Sequence, residues 1–301
     1  MMKTAAAEQP PVRLHVAIND AYQQLAAAGV ASPRHDAEAL AAFVLGCPRS
    51  RLLVAGDLSQ GQQLVFSGLV DRRASRVPLQ HLTGSAPFRY LEVAVGPGVF
   101  VPRPETEVVA GWCIDALREA ARDAAPLVVD LCTGSGVIAL AIAQEVRGAT
   151  VHAVEREAAA YEWAWRNAMG TGVIVHHGDA AHALPELDGT VDLVVGNPPY
   201  LPDAHRDQVD PEVRDHDPEA ALWGGADGLD GPRMIEAAGR RLLRDGGLVA
   251  VEHADDLGPA VAELFRASGE WAHIAVRQDL AGRDRFVTAA RRRSAGPEES
   301  A

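Results

Sequence analysis

The spacing of hydrophobic residues differs between the first and the later part of the chain. Up to about residue 77, apolar side chains recur every three or four positions, as at Leu14, Ile18, Tyr22 and Leu25, which is typical of amphipathic helices. Further along, short runs of apolar and β-branched residues alternate with helical patterns. This alternation predicts a small helical domain followed by an α/β domain built on a mainly parallel sheet.

The helical pattern predicts four helices, two of which begin at a serine. Ser32 precedes Pro33, and Ser59 precedes a polar first turn, which are residue types that favour a helix start. The predicted helices span residues 12–28, 33–45, 50–55 and 60–75. This part of the chain carries no cluster of chemically reactive side chains.

Seven apolar runs in the rest of the chain predict strands. They cover residues 127–131, 151–154, 173–176, 191–195, 248–253, 271–276 and 285–288. The short turn between the last two requires antiparallel pairing. Residues 78–84 are expected to form a linker, followed by a β-hairpin that turns around Gly96-Pro97-Gly98. The prediction is an α/β fold with a seven-stranded sheet and a terminal antiparallel hairpin.

The run 191–195 stops at an unusual segment, Asn197-Pro198-Pro199-Tyr200. The two prolines fix φ and remove two N–H donors, and Asn197 is held extended because it precedes a proline. The resulting corner is expected at the edge of the sheet where open α/β folds bind ligands. The Asn197 side-chain oxygen and a backbone carbonyl can each accept one hydrogen from an amide or amino nitrogen, and Tyr200 can face a cationic methyl donor.

A glycine-rich loop follows the first strand of the predicted sheet. It contains Gly134 and Gly136, which permit close backbone approach to a ligand at the electropositive start of the next helix. Glu155 ends the second strand, about twenty residues further on, where a carboxylate accepts hydrogen bonds from ribose hydroxyls. This spacing fits a nicotinamide dinucleotide as well as S-adenosylmethionine, so the residues alone leave both cofactors open.

The segment Asn197-Pro198-Pro199-Tyr200 resembles the catalytic motif of methyltransferases that modify amino groups with S-adenosylmethionine. From about residue 76 to 285, the chain is similar to the release factor glutamine N5-methyltransferase family, whose signature closely matches residues 101–107. The resemblance implies a Rossmann-like seven-stranded class I methyltransferase sheet with a terminal antiparallel hairpin, preceded by a small N-terminal helical bundle. The implied domains are a helical substrate-docking domain (1–77), a linker and β-hairpin (78–104), the methyltransferase domain (105–290) and a disordered tail (291–301).

The resemblance also implies roles for individual residues. Asn197, Pro198 and Tyr200 would be catalytic, and Pro199, Phe100 and Arg103 would complete the substrate pocket. Residues implied to hold S-adenosylmethionine are Asp130, Cys132, Thr133, Gly134, Ser135, Gly136, Glu155, Asp179, Ala180 and Asn197. Cys132 stands where the family commonly has glycine, so we expect an unstrained φ at this position.

Composition narrows the possible partners. The formal net charge of −13 opposes a grip on nucleic-acid phosphates, so no direct nucleic-acid binding is expected. No metal site is expected, because the three cysteines lack metal-ligand spacing and the adjacent His176 and His177 alternate across a strand. The odd cysteine count, and the lack of a signal-peptide core or a membrane-length apolar run, favour a reduced cytoplasmic protein without a membrane partner.

The preferred hypothesis is methyl transfer to the N5 amide nitrogen of the glutamine in the Gly-Gly-Gln motif of peptide chain release factors. S-Adenosyl-L-homocysteine would be the second product. A close variant would methylate glutamine in a ribosomal protein. Residues 201–231 are predicted to form a lid or substrate-binding loop, because such a long polar connection is unusual in a compact domain.

Three other functions compete with this hypothesis. N6-adenine methylation of DNA or RNA would use the same corner on a flipped base, but the acidic charge and the lack of an evident recognition domain oppose it. A nicotinamide-dependent oxidoreductase leaves Asn-Pro-Pro-Tyr unexplained, and binding of S-adenosylhomocysteine against NAD would separate the two. A non-catalytic scaffold is disfavoured because all the pocket residues are present.

Overall fold

The computed structural model describes residues 12–120 and 125–293. Their packing divides the chain into two units. The first contains the chain up to Gly84 together with Pro211–His216, and the second contains Ser85–Asp210 and the chain from Asp217 onward. In the described ranges, no helix is both long and apolar enough to cross a membrane.

The N-terminal part of the first unit is helical. Its elements are α1 (Leu14–Ala27), α2 (Pro33–Leu45), a 3₁₀ helix (Arg49–Val54), α3 (Gln60–Ala74) and α4 (Leu79–Thr83). Leu25, Leu40 and Phe66 share one buried core. The predicted long helices are confirmed to within about two residues, whereas the short helix predicted at residues 50–55 is a 3₁₀ helix at Arg49–Val54, and the expected linker contains α4.

The two serine starts behave differently. The Ser59 hydroxyl accepts a hydrogen bond from the Gln62 backbone N–H, and the Gln62 side chain accepts one from the Ser59 N–H, which makes a capping box. Ser32 makes no such side-chain bond, and Pro33 starts α2. Proline needs no partner for a missing N–H, so its fixed φ is sufficient to begin that helix.

The rest of the chain alternates strands and helices. The strands are β1 (Ser85–Phe88), β2 (Leu91–Ala94), β3 (Leu127–Leu131), β4 (Thr150–Glu155), β5 (Ile174–His177), β6 (Val191–Gly196), β7 (Leu243–Glu252), β8 (Trp271–Gln278) and β9 (Asp284–Arg291). The helices are α5 (Pro104–Ala120), α6 (Val137–Glu145), α7 (Ala158–Ala168), α8 (Pro211–His216), α9 (Asp230–Leu242) and α10 (Gly258–Ser268). Short 3₁₀ helices cover Pro185–Leu187, Asp203–Gln208 and Glu219–Ala221.

Seven strands form one sheet in the order β5-β4-β3-β6-β7-β9-β8. Strands β3 to β7 are parallel, and β9 lies antiparallel between β7 and β8. The predicted seven-stranded sheet with a terminal antiparallel hairpin is therefore confirmed. Successive residues of the central strands enter separate cores on the two faces, as Val128 and Val129 do.

The expected position of the early hairpin is wrong. β1 pairs with β2 from Ser85↔Ala94 to Phe88↔Leu91, so the turn lies at Arg89 and Tyr90 and not at residues 96–98. Gly96 instead packs against the Trp163 ring, where an added Cβ would lie 2.7 Å from Cζ2. A long-range contact of this kind leaves no signal in local turn chemistry.

The far end of the chain differs slightly from expectation. β9 continues through Arg291, the first residue of the segment expected to be a disordered tail. Residues 294–301, which make up most of that tail, and the first eleven residues lie outside the described ranges.

Neighbouring strand ends converge at the carboxyl edge of the sheet. Leu131 lies opposite Gly196, and Gly196 lies opposite Val251, in parallel pairs. The residues that follow these positions, Cys132, Asn197 and Glu252, are thereby brought to the same edge.

Candidate active site

The loop after β3 folds as a tight cradle. The Thr133 N–H donates to the Val154 carbonyl at 3.1 Å, which ties the loop to β4, and the Gly136 N–H donates to the Thr133 carbonyl at 2.9 Å. Gly134 and Gly136 take φ values of +58° and +87°, which glycine adopts without steric cost. Gly136 is the N-cap of α6, so the loop leads directly into the electropositive start of that helix.

Cys132 corrects one expectation. Its φ is +59°, in the left-handed region, and not the unstrained value expected for a non-glycine residue. The turn out of β3 requires this geometry, at a cost on the order of 1 kcal/mol for a residue with a Cβ. Burial, with a smaller effect of the Glu155 charge, raises the pKa of the Cys132 thiol, so it stays protonated and acts by packing.

Asp130 is fully buried at the end of β3. Its Oδ2 accepts hydrogen bonds from the Thr133 hydroxyl at 2.5 Å and the Ala139 N–H at 3.1 Å, whereas Oδ1 has no partner among the described residues. Burial raises the pKa of Asp130 to about 7, although both hydrogen bonds oppose the rise. An unpartnered buried acceptor beside the glycine loop fits a ligand that brings a cationic donor such as an ammonium group.

Glu155 and the end of β5 extend the cradle. Glu155 accepts hydrogen bonds from the Gly134 N–H at 2.9 Å and the Glu157 N–H at 2.8 Å, one at each carboxylate oxygen. Each oxygen keeps acceptor capacity for a ribose hydroxyl. The Gly178 N–H donates to the Glu155 carbonyl, and the next residues are the exposed Asp179 and the buried Ala180. The residues that the resemblance assigned to S-adenosylmethionine at the ends of β3, β4 and β5 thus follow neighbouring parallel strands, and the acceptors of Asp130 and Glu155 fit the ammonium and ribose groups of that cofactor.

The Asn-Pro-Pro-Tyr corner continues directly from β6. The half-buried Asn197 donates from Nδ2 to the Thr106 hydroxyl at 3.4 Å, which leaves its Oδ1 as the available acceptor. Pro198 is buried and Pro199 is half-buried. Later parts of the chain pack closely against this corner, because a Cβ at Gly231 in α9 or at Gly224 would lie 2.3 or 2.8 Å from the Pro199 carbonyl oxygen.

Tyr200 points its hydroxyl toward a buried carboxylate. Its Oη lies 3.4 Å from Glu252 Oε1, in donor geometry. Burial, and then the nearby Glu252 charge, raise the pKa of Tyr200, so the phenol stays protonated. Burial also raises the pKa of Glu252 to about 7 against the opposing effects of Thr106, Arg285 and Tyr200.

Phe100 and Arg103 lie together before α5. The Arg103 guanidinium carbon lies 4.9 Å from the Phe100 ring centroid, a cation–π distance. Arg103 also donates to Asp217 Oδ2 at 2.6 Å, and Asp217 Oδ1 accepts a long bond of 3.4 Å from the Val101 N–H. Arg103 therefore pairs with a carboxylate of the chain itself, and the Asp217 side chain is fully buried there.

Sequence reasoning missed several groups at this edge, namely Thr106, Asp217, Glu252 and Arg285. The position of Glu252 could have indicated a site residue, since this charged side chain ends an apolar strand and that strand pairs with the one leading to Asn197. The adjacent His176 and His177 contact different partners, since His176 stacks on His152 with their ring nitrogens 2.9 Å apart and His177 stacks on Tyr161. Within the described part of the chain, no group of three or more potential metal ligands is arranged to hold an ion.

Known proteins resemble this chain over nearly its full length. A release factor glutamine methyltransferase of Streptomyces coelicolor is 54% identical over 90% of this chain and 96% of its own length. A release factor glutamine methyltransferase of Mycolicibacterium smegmatis is 51% identical over 93% of this chain and 98% of its own length. The chain belongs to the release factor glutamine methyltransferase family. It is a methyltransferase, and the family resemblance drawn from the sequence is confirmed.

Two family models match successive parts of the chain, and they overlap between residues 67 and 84. The PrmC N-terminal domain matches residues 17–84, and the methyltransferase small domain matches residues 67–213. A 4-amino-L-phenylalanine/4-methylamino-L-phenylalanine methyltransferase of Streptomyces pristinaespiralis is also 40% identical over 93% of this chain and 96% of its own length. Its name describes methylation at an aromatic amine and not at a protein amide.

Proposed function

We propose that this protein transfers a methyl group from S-adenosylmethionine to the N5 amide nitrogen of the glutamine in the Gly-Gly-Gln motif of release factors. The observation that carries the proposal is the Asn197 amide, fixed by Thr106 so that Oδ1 remains an acceptor beside the glycine loop. The names of the relatives support the release factor as substrate. This substrate implies a cytoplasmic site of action.

The donor would be held by the cradle at the ends of β3, β4 and β5. When bound, S-adenosylmethionine supplies a methyl carbon whose bond to the sulfonium sulfur breaks as a bond to nitrogen forms. Asp130 Oδ1 would accept the ammonium group of the donor, and Glu155 its ribose hydroxyls. Asp179 and the backbone of Ala180 would contact the adenine. The glycine-rich loop would enclose the rest of the S-adenosylmethionine molecule through Cys132, Thr133, Gly134, Ser135 and Gly136.

The corner would hold the acceptor. Asn197 Oδ1 and the Pro198 carbonyl would each accept one hydrogen of the substrate carboxamide, which orients its nitrogen and favours tetrahedral geometry. Phe100 and Tyr200 would line the pocket, and Arg103 would hold its wall through Asp217. The nitrogen becomes cationic as the new bond forms, so it loses its proton readily to solvent, and no strong base is required.

Mass spectrometry of a purified release factor incubated with the protein and S-adenosylmethionine tests the proposal. The expected result is one added methyl group, 14 Da, on the Gly-Gly-Gln glutamine. Asn197→Ala should reduce the rate by roughly 100-fold or more, the scale seen for loss of a preorganised hydrogen-bonding group. Its affinity for S-adenosylhomocysteine, measured by calorimetry, should stay close to that of the unchanged protein.

Three acceptors serve as controls in the same assay. They are the release factor with its Gly-Gly-Gln glutamine changed to asparagine, an adenine-containing oligonucleotide, and 4-amino-L-phenylalanine. None should be methylated at a comparable rate. Transfer to any of these three but not to the release factor would contradict the proposal, and so would full activity of the Asn197→Ala variant.

A further inference from the structure

The amide side chain of Asn167 contacts two separate parts of the chain. It lies in α7 and is half-buried. Its Nδ2 donates to the Ala94 carbonyl at 2.9 Å and to the Ser135 carbonyl at 3.0 Å, and its Oδ1 accepts from the Ala94 N–H at 2.9 Å. Ala94 ends β2, whereas Ser135 lies in the glycine-rich loop. One side chain therefore joins the loop assigned to the donor to the hairpin that precedes α5.

These three contacts fix the direction of the amide. An asparagine side chain offers two hydrogens from its nitrogen and an acceptor at its oxygen. Both hydrogens point to carbonyl groups, and the reversed amide would place its oxygen against those same two carbonyls. An aspartate of the same shape would keep the acceptor for the Ala94 N–H but would lose both donated bonds.

Three residues of α7 form one row along the helix, since Ala159, Trp163 and Asn167 are each four positions apart. The chain directly after β2 packs along this row. Trp163 Nε1 donates to the Pro97 carbonyl at 3.3 Å, and a Cβ added at Gly98 would lie 2.9 Å from the Ala159 Cβ. The segment that continues toward the proposed pocket wall is therefore held on the same helix as Asn167.

Another part of α7 packs on the glycine-rich loop. A Cβ added at Gly136 would lie 3.7 Å from the Ala164 Cα, an ordinary packing distance. The peptide unit between Ser135 and Gly136 is held at both ends, because its carbonyl accepts from Asn167 and its N–H donates to a carbonyl within the loop. Movement of this part of the loop would therefore displace the Asn167 amide.

We propose that Asn167 is a positioning residue, which couples the donor site to the acceptor pocket by holding the glycine-rich loop and the segment before Phe100 on one amide. Phe100 and Arg103 follow Ala94 by six and nine residues. A donor that orders the loop also orders the amide and Ala94, so less conformational entropy is lost when the acceptor then binds. This inference rests on the proposed function, and it adds a link between the two substrates.

Calorimetry with the full-length protein measures this link. The dissociation constant of an unmethylated release factor is determined with and without saturating S-adenosylhomocysteine, which has no methyl group to transfer. S-Adenosylhomocysteine should strengthen the binding of the release factor roughly fivefold or more, the lower end of typical coupling between two sites. In Asn167→Ala, the ratio of the two dissociation constants should fall close to one.

Two variants and a control separate this link from a local loss of contacts. Asn167→Ala should weaken S-adenosylhomocysteine binding and raise the KM for the release factor, each roughly 3- to 30-fold, the scale of losing one or two hydrogen bonds. Trp163→Phe removes only the bond to Pro97, so it should raise that KM and leave the S-adenosylhomocysteine affinity unchanged. Glu162→Ala, at an exposed position of α7, is the matched control and should change neither quantity.

Hydrogen exchange tests the same link without any substitution. Because the Ala94 N–H donates to Asn167, its exchange should slow several-fold when S-adenosylhomocysteine binds. The Val12 N–H donates to the Leu58 carbonyl in the first unit, and it should exchange equally with and without this ligand.

The proposal is overturned if Asn167→Ala keeps the ratio of the unchanged protein, or if the unchanged protein itself shows a ratio near one. A lower melting temperature in Asn167→Ala with both affinities intact would also overturn it, since a purely structural contact behaves in this way. Should Asn167→Ala fail to fold, the Ala94 amide decides, and equal exchange with and without the ligand contradicts the link. Failure of the proposed function is distinct, since the unchanged protein would then leave the release factor unmethylated.

Discussion

Gly231 occupies the first turn of α9, where helix propensity alone would favour alanine. The structure places its Cα so close to the corner that a Cβ would lie 2.3 Å from the Pro199 carbonyl oxygen and 2.7 Å from Pro198 Cβ. The two prolines restrict the backbone of the corner, and the close contact with Gly231 fixes the position of the corner. The position of Asn197 therefore depends on a glycine 34 residues away in the sequence.

Gly231→Ala should displace the corner and lower methyltransferase activity at least tenfold. Its free energy of unfolding should fall by about 1–3 kcal/mol, as for other overpacked sites. Gly68→Ala in α3 is the control, because a Cβ there meets nothing within 4 Å. That change should leave activity intact and raise stability by roughly 0.5–1 kcal/mol. Steady-state kinetics and urea unfolding measure both effects, and equal behaviour of the two variants would contradict the close-contact argument.

Local patterns were sufficient to place three predicted site segments at the ends of strands. The Asn-Pro-Pro-Tyr segment, the glycine loop and the strand-end Glu155 were predicted because each combines a strand end with an unusual neighbour. Cys132 was misjudged, since its φ is set by how β3 turns toward β4. Glu252 was missed because its contact with the Tyr200 hydroxyl forms only in the folded chain.

At the scale of elements, one buried arginine joins three helices of the first unit. Arg73 in α3 donates to Asp36 Oδ2 in α2 at 2.8 Å and to Glu212 Oε1 in α8 at 2.7 Å. The side chains of Arg73 and Asp36 are 5% and 7% exposed. Helix α8, with only six residues, depends on such contacts because so short a helix is not stable by itself.

Asp36→Asn should lower the free energy of unfolding of the first unit by about 2–4 kcal/mol, because it leaves the buried Arg73 without one of its two carboxylate partners. Glu38→Gln, also in α2, is the matched control. Glu38 pairs with Arg34 and Arg49 near the surface, where such pairs contribute about 0–1 kcal/mol. Urea unfolding followed by helical circular dichroism compares the two, and a loss in Glu38→Gln as large as in Asp36→Asn would be evidence against a special role of burial.

Element types were more predictable than their ends and partners. The strands of the large sheet are long apolar runs that local composition identifies, and the helices carry clear amphipathic periods. The hairpin was misplaced because Gly96-Pro97-Gly98 resembles a turn, whereas Arg89 takes the left-handed φ of +51° at the true one. The packing of Trp163 against Gly96 decides between the two, and it involves residues far apart in the chain.

At the scale of the whole molecule, buried carboxylates link stability to pH. Burial raises the pKa of Asp130 from 3.8 to about 7, so the folded state binds this proton more tightly than the unfolded state. The resulting contribution to stability is fully present below pH 4 and is lost as the pH rises through about 7. The raised pKa of Glu252 acts in the same direction.

Asp130→Asn should therefore stabilise the ligand-free protein at pH 8, by roughly 1 kcal/mol or more given about 1.4 kcal/mol per unit of pKa shift. Its melting temperature should fall less between pH 6 and pH 8 than that of the unchanged protein, and its affinity for S-adenosylhomocysteine should drop. Asp20→Asn on the exposed side of α1 should follow the unchanged protein. Thermal unfolding across this pH range gives the answer, and parallel curves for all three proteins would refute the assignment of Asp130.

The two ends of the long segment after the corner are hydrogen-bonded to each other. The Leu201 N–H donates to the Leu222 carbonyl, the Gly224 N–H to the Leu201 carbonyl, and the Asp203 N–H to the Gly225 carbonyl, all at 2.8–3.0 Å. Because its two ends are hydrogen-bonded to each other, changes in the length of residues 204–210 should leave the Asn-Pro-Pro-Tyr corner in place, whereas Asp217 has to remain where it binds Arg103.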